Sequence, residues 1–327
     1  MKKLQTVMVI ALQVRNLTKE LGGSVILDNI SFDVNKGEIF GVIGMSGSGK
    51  TTLLNHLIGF LEPNEGEVWY LAEKDKEPKL KNLNKNLKEV KKVFGFSPQA
   101  PSFYPKLTIK ENLVHFGRLY RLKKRDILAD MQHLLEFTRL DAHVNKRAEY
   151  ISGGMQRRLS IMCSVVHKPS VLILDEPTAD LDPILREETW RLIKEINGQG
   201  TTVVIASHFL QELEAYCNRV AILHNGKLLK CGTIDEIKQD FAKNSIEIRV
   251  ETAPENFNKL IASINKKNVI KSSAEGNKIL FYTTKPQETL YEIAQLLRKK
   301  SMIAQALEVH RPSLNEVFEA LAFAKHK

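Results

Sequence analysis

Apolar and polar positions change period several times along the chain, and each change marks an element. Residues 7–15 and 25–34 read as strands ending in turn residues, Asn16 in the first case and Asn35, Lys36 and Gly37 in the second. Residues 39–43 are a short apolar run bounded by glycines, as a strand buried on both faces requires. A glycine loop follows, then a predicted helix from Lys50 to about Ile58. Pro63, Asn64 and Gly66 mark a turn before a strand over 67–70. Helical spacing covers 113–122 and 126–140. Another helix is predicted to start at Ser152-Gly153-Gly154 and to stop near Pro169. Residues 171–174 and 202–206 read as buried strands, with a helix over 186–196 between them. Strands alternating with helices predict a mostly parallel α/β sheet, and the strand-free stretch 100–165 predicts a helical subdomain inserted on it.

After about residue 240 the pattern changes. Residues 245–251 alternate, with Ile246, Ile248 and Val250 on one face. A helix to about 264 is expected next, then strands near Val269 and over 278–283 around a turn at Gly276. A helix over 286–299, a strand over 303–309 and a helix over 313–323 complete the chain. The order β-α-β-β-α-β plus a helix predicts a small ferredoxin-like α+β domain. The expected domains are 1–238 and 244–327, and no internal repeat relates them.

Composition narrows the class. The chain has 327 residues, 43% apolar and 26% charged, which fits two globular domains and excludes a disordered chain. Cys163, Cys217 and Cys231 show no CxxC spacing and read as reduced thiols. No apolar run reaches the ~18–20 residues of a membrane span. The opening MKKLQTVMVIALQV resembles a signal peptide, but Gln13 and Arg15 follow its apolar stretch with no small-residue cleavage site, so a first strand is expected. Net charge is +10. Residues 73–92 hold eight Lys against four acids, and 118–125 form a second basic cluster. Neither interleaves aromatics as a nucleic-acid platform does, so both read as solvated surface, with an anionic membrane face as the alternative. The first reads as an exposed insertion.

The chemistry starts at Gly44-Met45-Ser46-Gly47-Ser48-Gly49-Lys50-Thr51, with Thr52 next. It matches G-x-x-x-x-G-K-[ST], after a strand and opening a helix. Inward-facing N–H groups and the helix N-terminus favour phosphate. Lys50 is expected on the β- and γ-phosphates, and the Thr51 hydroxyl on Mg²⁺. The strand Val171-Leu-Ile-Leu-Asp175-Glu176 places Asp175 at its C-terminal end, where a carboxylate holds Mg²⁺ through water. Strand alternation points Glu176 elsewhere, as a candidate general base. His56, His115 and His167 form no metal-like cluster and read as structural.

The discriminating element is Ile151-Ser152-Gly153-Gly154-Met155. With the phosphate loop and the Asp175–Glu176 strand, ISGGMQRRLS resembles the signature of ABC-type ATPases. Gln99 in FSPQAP resembles that family's loop from sheet to helical subdomain, Ala179-Asp-Leu-Asp182 its D-loop, and His208 its switch histidine. The ending Arg311-Pro-Ser-Leu-Asn-Glu-Val-Phe318 resembles the close of the C-terminal domain in ATPases of ABC-2-type exporters. The resemblance covers nearly the whole chain.

It implies a P-loop core with an inserted helical subdomain and a head-to-tail dimer with a second copy or a related subunit. Each ATP lies between the phosphate loop of one subunit and Ser152, Gly153 and Gly154 of the other. Gln99 is implied as a Mg²⁺ and water ligand, His208 as a γ-phosphate contact, and Asp182 as part of the dimer interface. The implied activity is ATP hydrolysis driving export by a separate transmembrane permease, from the cytoplasmic face of the membrane and with no specific nucleic-acid partner. The permease is expected in the groove between Gln99 and the helical subdomain, with Phe103, Tyr104 and Leu107 as apolar candidates. An importer ATPase is the runner-up. A non-transport ABC ATPase comes third, because no sustained heptads separate Lys50 from Ser152 and the chain holds one cassette. Three departures stand out. Leu21 occupies the place of an adenine-stacking aromatic, Met155 replaces the signature Gln, and Asp180 replaces a small D-loop residue.

Overall fold

The computed structural model describes residues 9–72, 78–239, 244–250, 269–275, 278–283, 285–299, 302–310 and 313–323. The chain divides into two compact units between Thr233 and Ile234.

In the first unit, β1 (Ile10–Leu21) and β2 (Ser24–Asn35) form an antiparallel hairpin. Gly22 and Gly23 close it with φ of 56° and 78°, a backbone that a Cβ resists. β1 does not end at Asn16, as the sequence suggests. Asn16 and Asn29 both take left-handed φ, and Asn16 Nδ2 donates to Asn29 Oδ1 at 2.9 Å. The register shifts there, so an asparagine that signals a turn is absorbed as a bulge.

β3 (Ile39–Ile43) is buried throughout and runs through the phosphate loop into α1 (Lys50–Leu57). β4 (Glu65–Ala72) and β5 (Lys79–Asn82) complete a four-stranded antiparallel sheet, β2-β1-β4-β5. α2 (Leu87–Val93) follows. The Lys-rich stretch is therefore not an exposed insertion throughout. Leu83 and Val90 are fully buried in the main core, between lysines that face solvent. Residues 73–77 lie outside the described residues.

β6 (Phe94–Ser97) leads into the helical subdomain of α3 (Ile109–Leu119), α4 (Lys124–Thr138) and α5 (Gly153–Val165). A capping box between Thr108 and Glu111 starts α3, and its hydrogen bonds hold the Glu111 carboxyl below its usual range. The subdomain has its own core around Ile109, Leu113, Met131, Leu135, Leu159 and Met162. β7 (Val171–Asp175), α6 (Pro183–Gly198), β8 (Thr202–Ser207), α7 (Leu210–Tyr216), β9 (Arg219–His224) and β10 (Lys227–Thr233) follow. The main sheet has the order β10-β9-β3-β8-β7-β6 and is parallel except for β9–β10. Of these elements, β6, α7, β9 and β10 lie outside the sequence expectations.

The second unit holds α8 (Ile234–Gln239), β11 (Asn244–Val250), β12 (Val269–Glu275), β13 (Lys278–Thr283), α9 (Pro286–Lys299), β14 (Ala304–His310) and α10 (Leu314–Phe323). Its antiparallel order β12-β13-β11-β14 sets the first strand between the third and the last, as a split βαβ arrangement does. Ile246, Ile248, Ile279, Phe281, Ile293 and Leu297 form its core. The division after Thr233 puts α8 with this unit, whereas the sequence places 234–238 in the first. The helix expected before residue 264, the turn at Gly276, and Arg311 and Pro312 of the ending motif lie outside the described residues.

Candidate functional site

Four parallel strands end on one edge of the main sheet, and each delivers a candidate residue there. β3 releases the phosphate loop, β8 leads to His208, β7 ends in Asp175 with Glu176 next, and β6 leads to Gln99. Ligands favour this carboxyl edge because side chains and loops converge there. The edge encloses a cleft of about 420 Å³ lined by Ile26, Ser46, Gly47, Gly49, Lys50, Thr51, Thr52, Gln99, Glu176 and His208.

Gly49 shows why the loop needs glycine. Its φ is 102°, and a Cβ there would meet Ile26 O at 2.9 Å and Leu27 Cδ2 at 2.8 Å. Lys50 is buried, and its Nζ donates to Gly44 O at 2.8 Å and to Met45 O at 3.4 Å. The same Nζ lies 3.5 Å from Glu176 Oε1. Thr51 Oγ1 donates to Asp175 Oδ2 at 2.9 Å.

Glu176 does not turn away from the loop as strand alternation predicts. β7 ends at Asp175, and Glu176 takes a left-handed φ of 49°. Alternation stops there, and adjacent carboxylates address Thr51 and Lys50. A non-glycine residue in this region persists only when its surroundings over-determine it. Glu176 Oε2 accepts from the His208 backbone N–H at 3.3 Å and lies 2.8 Å from His208 Nδ1.

Asp175 is 2% exposed, and burial pushes its pKa up. The Thr51 hydrogen bond and the Lys50 and Arg157 charges oppose that, while the Glu176 charge adds to it. Among the described residues its Oδ1 has no hydrogen-bond partner, and neither does the buried Ser48 Oγ. An orphaned, buried carboxylate oxygen beside a threonine hydroxyl fits a hard, oxygen-liganded cation, so these residues suit Mg²⁺.

Ser152, Gly153 and Gly154 do not line the cleft. Ser152 caps α5, accepting from the Met155 N–H at 3.3 Å, and Gly154 packs against Leu185. Asp182 caps α6, accepting from the N–H groups of Ile184 and Leu185. Leu21 also lies outside the lining, 44% exposed at the tip of the β1–β2 hairpin. Phe103 packs against the subdomain core rather than facing out, while Tyr104 is half-exposed. His56 Nδ1 meets Leu61 O at 2.9 Å, and His167 stacks on Tyr120 at 3.6 Å.

Three residues escape sequence reasoning. Ile26 lines the cleft from β2, with no local signal for it. Glu212 Oε2 accepts from the Thr178 hydroxyl at 2.6 Å and from Trp190 Nε1 at 2.8 Å, tying α7 to α6 beside the site. Arg157 sends its guanidinium under both Gln99 and Glu176. Its only advance signal is its place inside ISGGMQRRLS.

A phosphate loop between a parallel strand and a helix, faced by two carboxylates from a strand of the same sheet, defines a P-loop nucleoside triphosphatase. Residues 27–179 match the ABC transporter family, and residues 232–321 match the C-terminal domain of DrrA1-3-like ATP-binding proteins. The Nod factor export ATP-binding protein I of Bradyrhizobium diazoefficiens is 33% identical over 239 residues, covering 73% of this chain and 76% of the relative. The linearmycin resistance ATP-binding protein LnrL of Bacillus subtilis is 29% identical over 311 residues, covering 94% of this chain and 96% of the relative. A solved ATP-binding subunit of an ABC transporter superposes with TM-score 0.63 at 28% identity, over 71% of this chain and 93% of that one. A dimeric ATP-binding cassette solved in a post-hydrolysis state with ADP and Pi gives 0.59 at 26% identity, over 68% of this chain and 98% of that one. The chain belongs to the ABC transporter ATP-binding proteins, the ATP-hydrolysing cassettes of these transporters.

Proposed function

We propose that this chain is the ATPase subunit of an ABC-2-type exporter, closing as a dimer on two ATP molecules to drive a separate transmembrane permease from the cytoplasmic face. The observation that carries this reading is the meeting of both carboxylates at the end of β7 with the phosphate loop, Asp175 on Thr51 and Glu176 on Lys50. The relatives named for Nod factor export and for linearmycin resistance support the export direction, as does the DrrA-like match of the second unit.

The residues have clear tasks in this reading. The N–H groups of the loop from Gly44 to Thr52, with Lys50, hold the phosphates of ATP. Thr51, Asp175 and Gln99 would hold Mg²⁺, which when bound neutralises charge on the phosphoryl oxygens. Lys50 now divides its Nζ between loop carbonyls and Glu176 Oε1. Once the phosphates draw Lys50 over, Oε1 is free to accept the proton of the attacking water. His208 steadies Oε2 and faces the γ-phosphate. Ser152, Gly153 and Gly154 serve the nucleotide held by the second copy, because a helix N-terminus favours an anion.

The permease docks in a groove of about 790 Å³ lined by the apolar Ile58, Phe94, Phe96, Phe116 and Leu119 and by the basic Lys88, Lys91, Lys92 and Arg121; Phe103, Tyr104 and Leu107, expected to face the permease, do not line it. No helix among the described residues is long and apolar enough to cross a membrane.

Glu176→Gln tests the reading. It is expected to keep ATP binding and ATP-driven dimerisation while turnover falls by about 10²–10⁴, the usual worth of a general base. Turnover at the wild-type rate would remove Glu176 from that role.

A further inference from the structure

Arg157 lies on α5, five residues after Ser152, and is 8% exposed. Its five N–H groups all go to main-chain carbonyls. Nε donates to Pro177 O at 2.9 Å, and Nη1 donates to Pro98 O at 2.8 Å and to Gln99 O at 3.0 Å. Nη2 donates to Asp175 O at 2.8 Å and to Glu176 O at 2.6 Å. A guanidinium has five donors in a rigid fork, so none is left over.

Among the described residues no carboxylate lies within ion-pair distance of Arg157, although a buried arginine is ordinarily paired. Its neighbour Arg158 shows the ordinary case, with Nη1 on Glu188 Oε2 at 2.6 Å. Arg157 thus holds the course of two backbone segments. One carries Gln99. The other carries Asp175 and the left-handed Glu176, a conformation that needs external bracing.

The same helix begins at Ser152, Gly153 and Gly154. At 1.5 Å per residue Arg157 stands about 7.5 Å further along a stiff rod. On the dimer reading given above, that N-terminus meets ATP held by the second copy. We propose that Arg157 is a positioning residue that couples the two nucleotide sites: ATP from the second copy sets α5, and Arg157 then sets Glu176 and Gln99 of its own chain for the other ATP. The coupling needs no change in the residues that touch phosphate.

The experiment uses the full chain and reads ATP hydrolysis against ATP concentration. Two coupled sites give a wild-type Hill coefficient above one, with a ceiling of about 2. Lysine has three donors and leaves carbonyls unserved. Arg157→Lys is expected to bring the coefficient to about 1 and to lower kcat roughly tenfold, since small misplacements in a site are costly, with KM changing less than about threefold. Its thermal melt is expected to fall, because buried carbonyls lose their donors, while its ATP-driven dimerisation, read in combination with Glu176→Gln, stays close to that of the unaltered Arg157 chain.

Arg158→Lys is the control. It loosens α5 at the next residue without touching either braced segment, so its Hill coefficient stays at the wild-type value. A wild-type coefficient of one overturns the proposal. So does an unchanged coefficient in Arg157→Lys, or an equal loss in Arg158→Lys. If Arg157→Lys does not fold, Arg157→Gln supplies the same readout. Loss of ATP-driven dimerisation in Glu176→Gln alone would instead sink the dimer reading beneath it, so the two failures are distinguishable.

Discussion

At the residue scale, the chain carries destabilising choices where its chemistry lies. Asp175 is buried with one oxygen unserved, and its pKa is raised mainly by burial. An acid whose folded pKa exceeds its unfolded one is stabilising while protonated, and that stability is lost as pH rises through the folded value. At neutral pH the charged Asp175 is therefore a cost. Asp175→Asn is expected to raise the melting temperature at pH 7 by about 2–4 °C, roughly what 1 kcal/mol gives a domain of this size, while abolishing ATP turnover. The gain should shrink in melts at lower pH, where the wild-type carboxyl is protonated. Leu21 poses a separate question of affinity. It is half-exposed at the hairpin tip opposite Ser24, and Ile26 of β2 lines the cleft. Leu21→Tyr is expected to tighten ATP binding at least about fivefold, since base stacking on an aromatic is worth about 1–3 kcal/mol. Titration calorimetry checks it, and unchanged affinity would remove Leu21 from the base site. The phosphate loop and the Asp175–Glu176 pair were legible because fixed spacing encodes them. The direction of Glu176 was not, because it depends on one left-handed backbone angle that periodicity does not report.

At the element scale, the helices α3, α4, α5 and α9 follow the 3.6-residue period and stand close to where the sequence puts them. β6 escapes because four residues, FGFS, carry too little pattern. The Lys-rich stretch misleads for the opposite reason. Its charge hides single apolar anchors, Leu83 and Val90, that enter the core. β6 is also set tightly against α5. A Cβ on Gly95 would fall on the carbonyl oxygen of Ser164 in α5 and 3.0 Å from Pro169 Cγ. Backbone cannot yield as a side-chain tip does, so Gly95→Ala is expected to cost at least about 1–3 kcal/mol, read as a lower urea midpoint. Because β6 leads to Gln99, ATP turnover of the folded fraction should fall with it. A midpoint equal to wild type would show that β6 and α5 have room to separate.

At the scale of the whole molecule, the first unit bears the ATP chemistry and the second is built on a separate core. A mild-detergent purification from native membranes is expected to bring down a polytopic membrane protein without an ATPase domain of its own. Recovery of ribosomes or DNA-repair proteins instead would overturn the transport reading. The sequence by itself determined the elements with strong period, the phosphate loop, the paired carboxylates, the signature and the family they resemble. All of these are written in neighbouring residues. The tertiary structure alone decided what depends on residues far apart in the chain. Sheet order brings Thr51 to Asp175 across 124 positions. The left-handed Glu176 sends both carboxylates to one loop, and Arg157 joins backbone segments 98–99 and 175–177 from a third element. Spacing and periodicity are local quantities. The direction of a side chain and the partners of a buried guanidinium are set by packing across the whole fold, and they exist only once the chain has closed on itself.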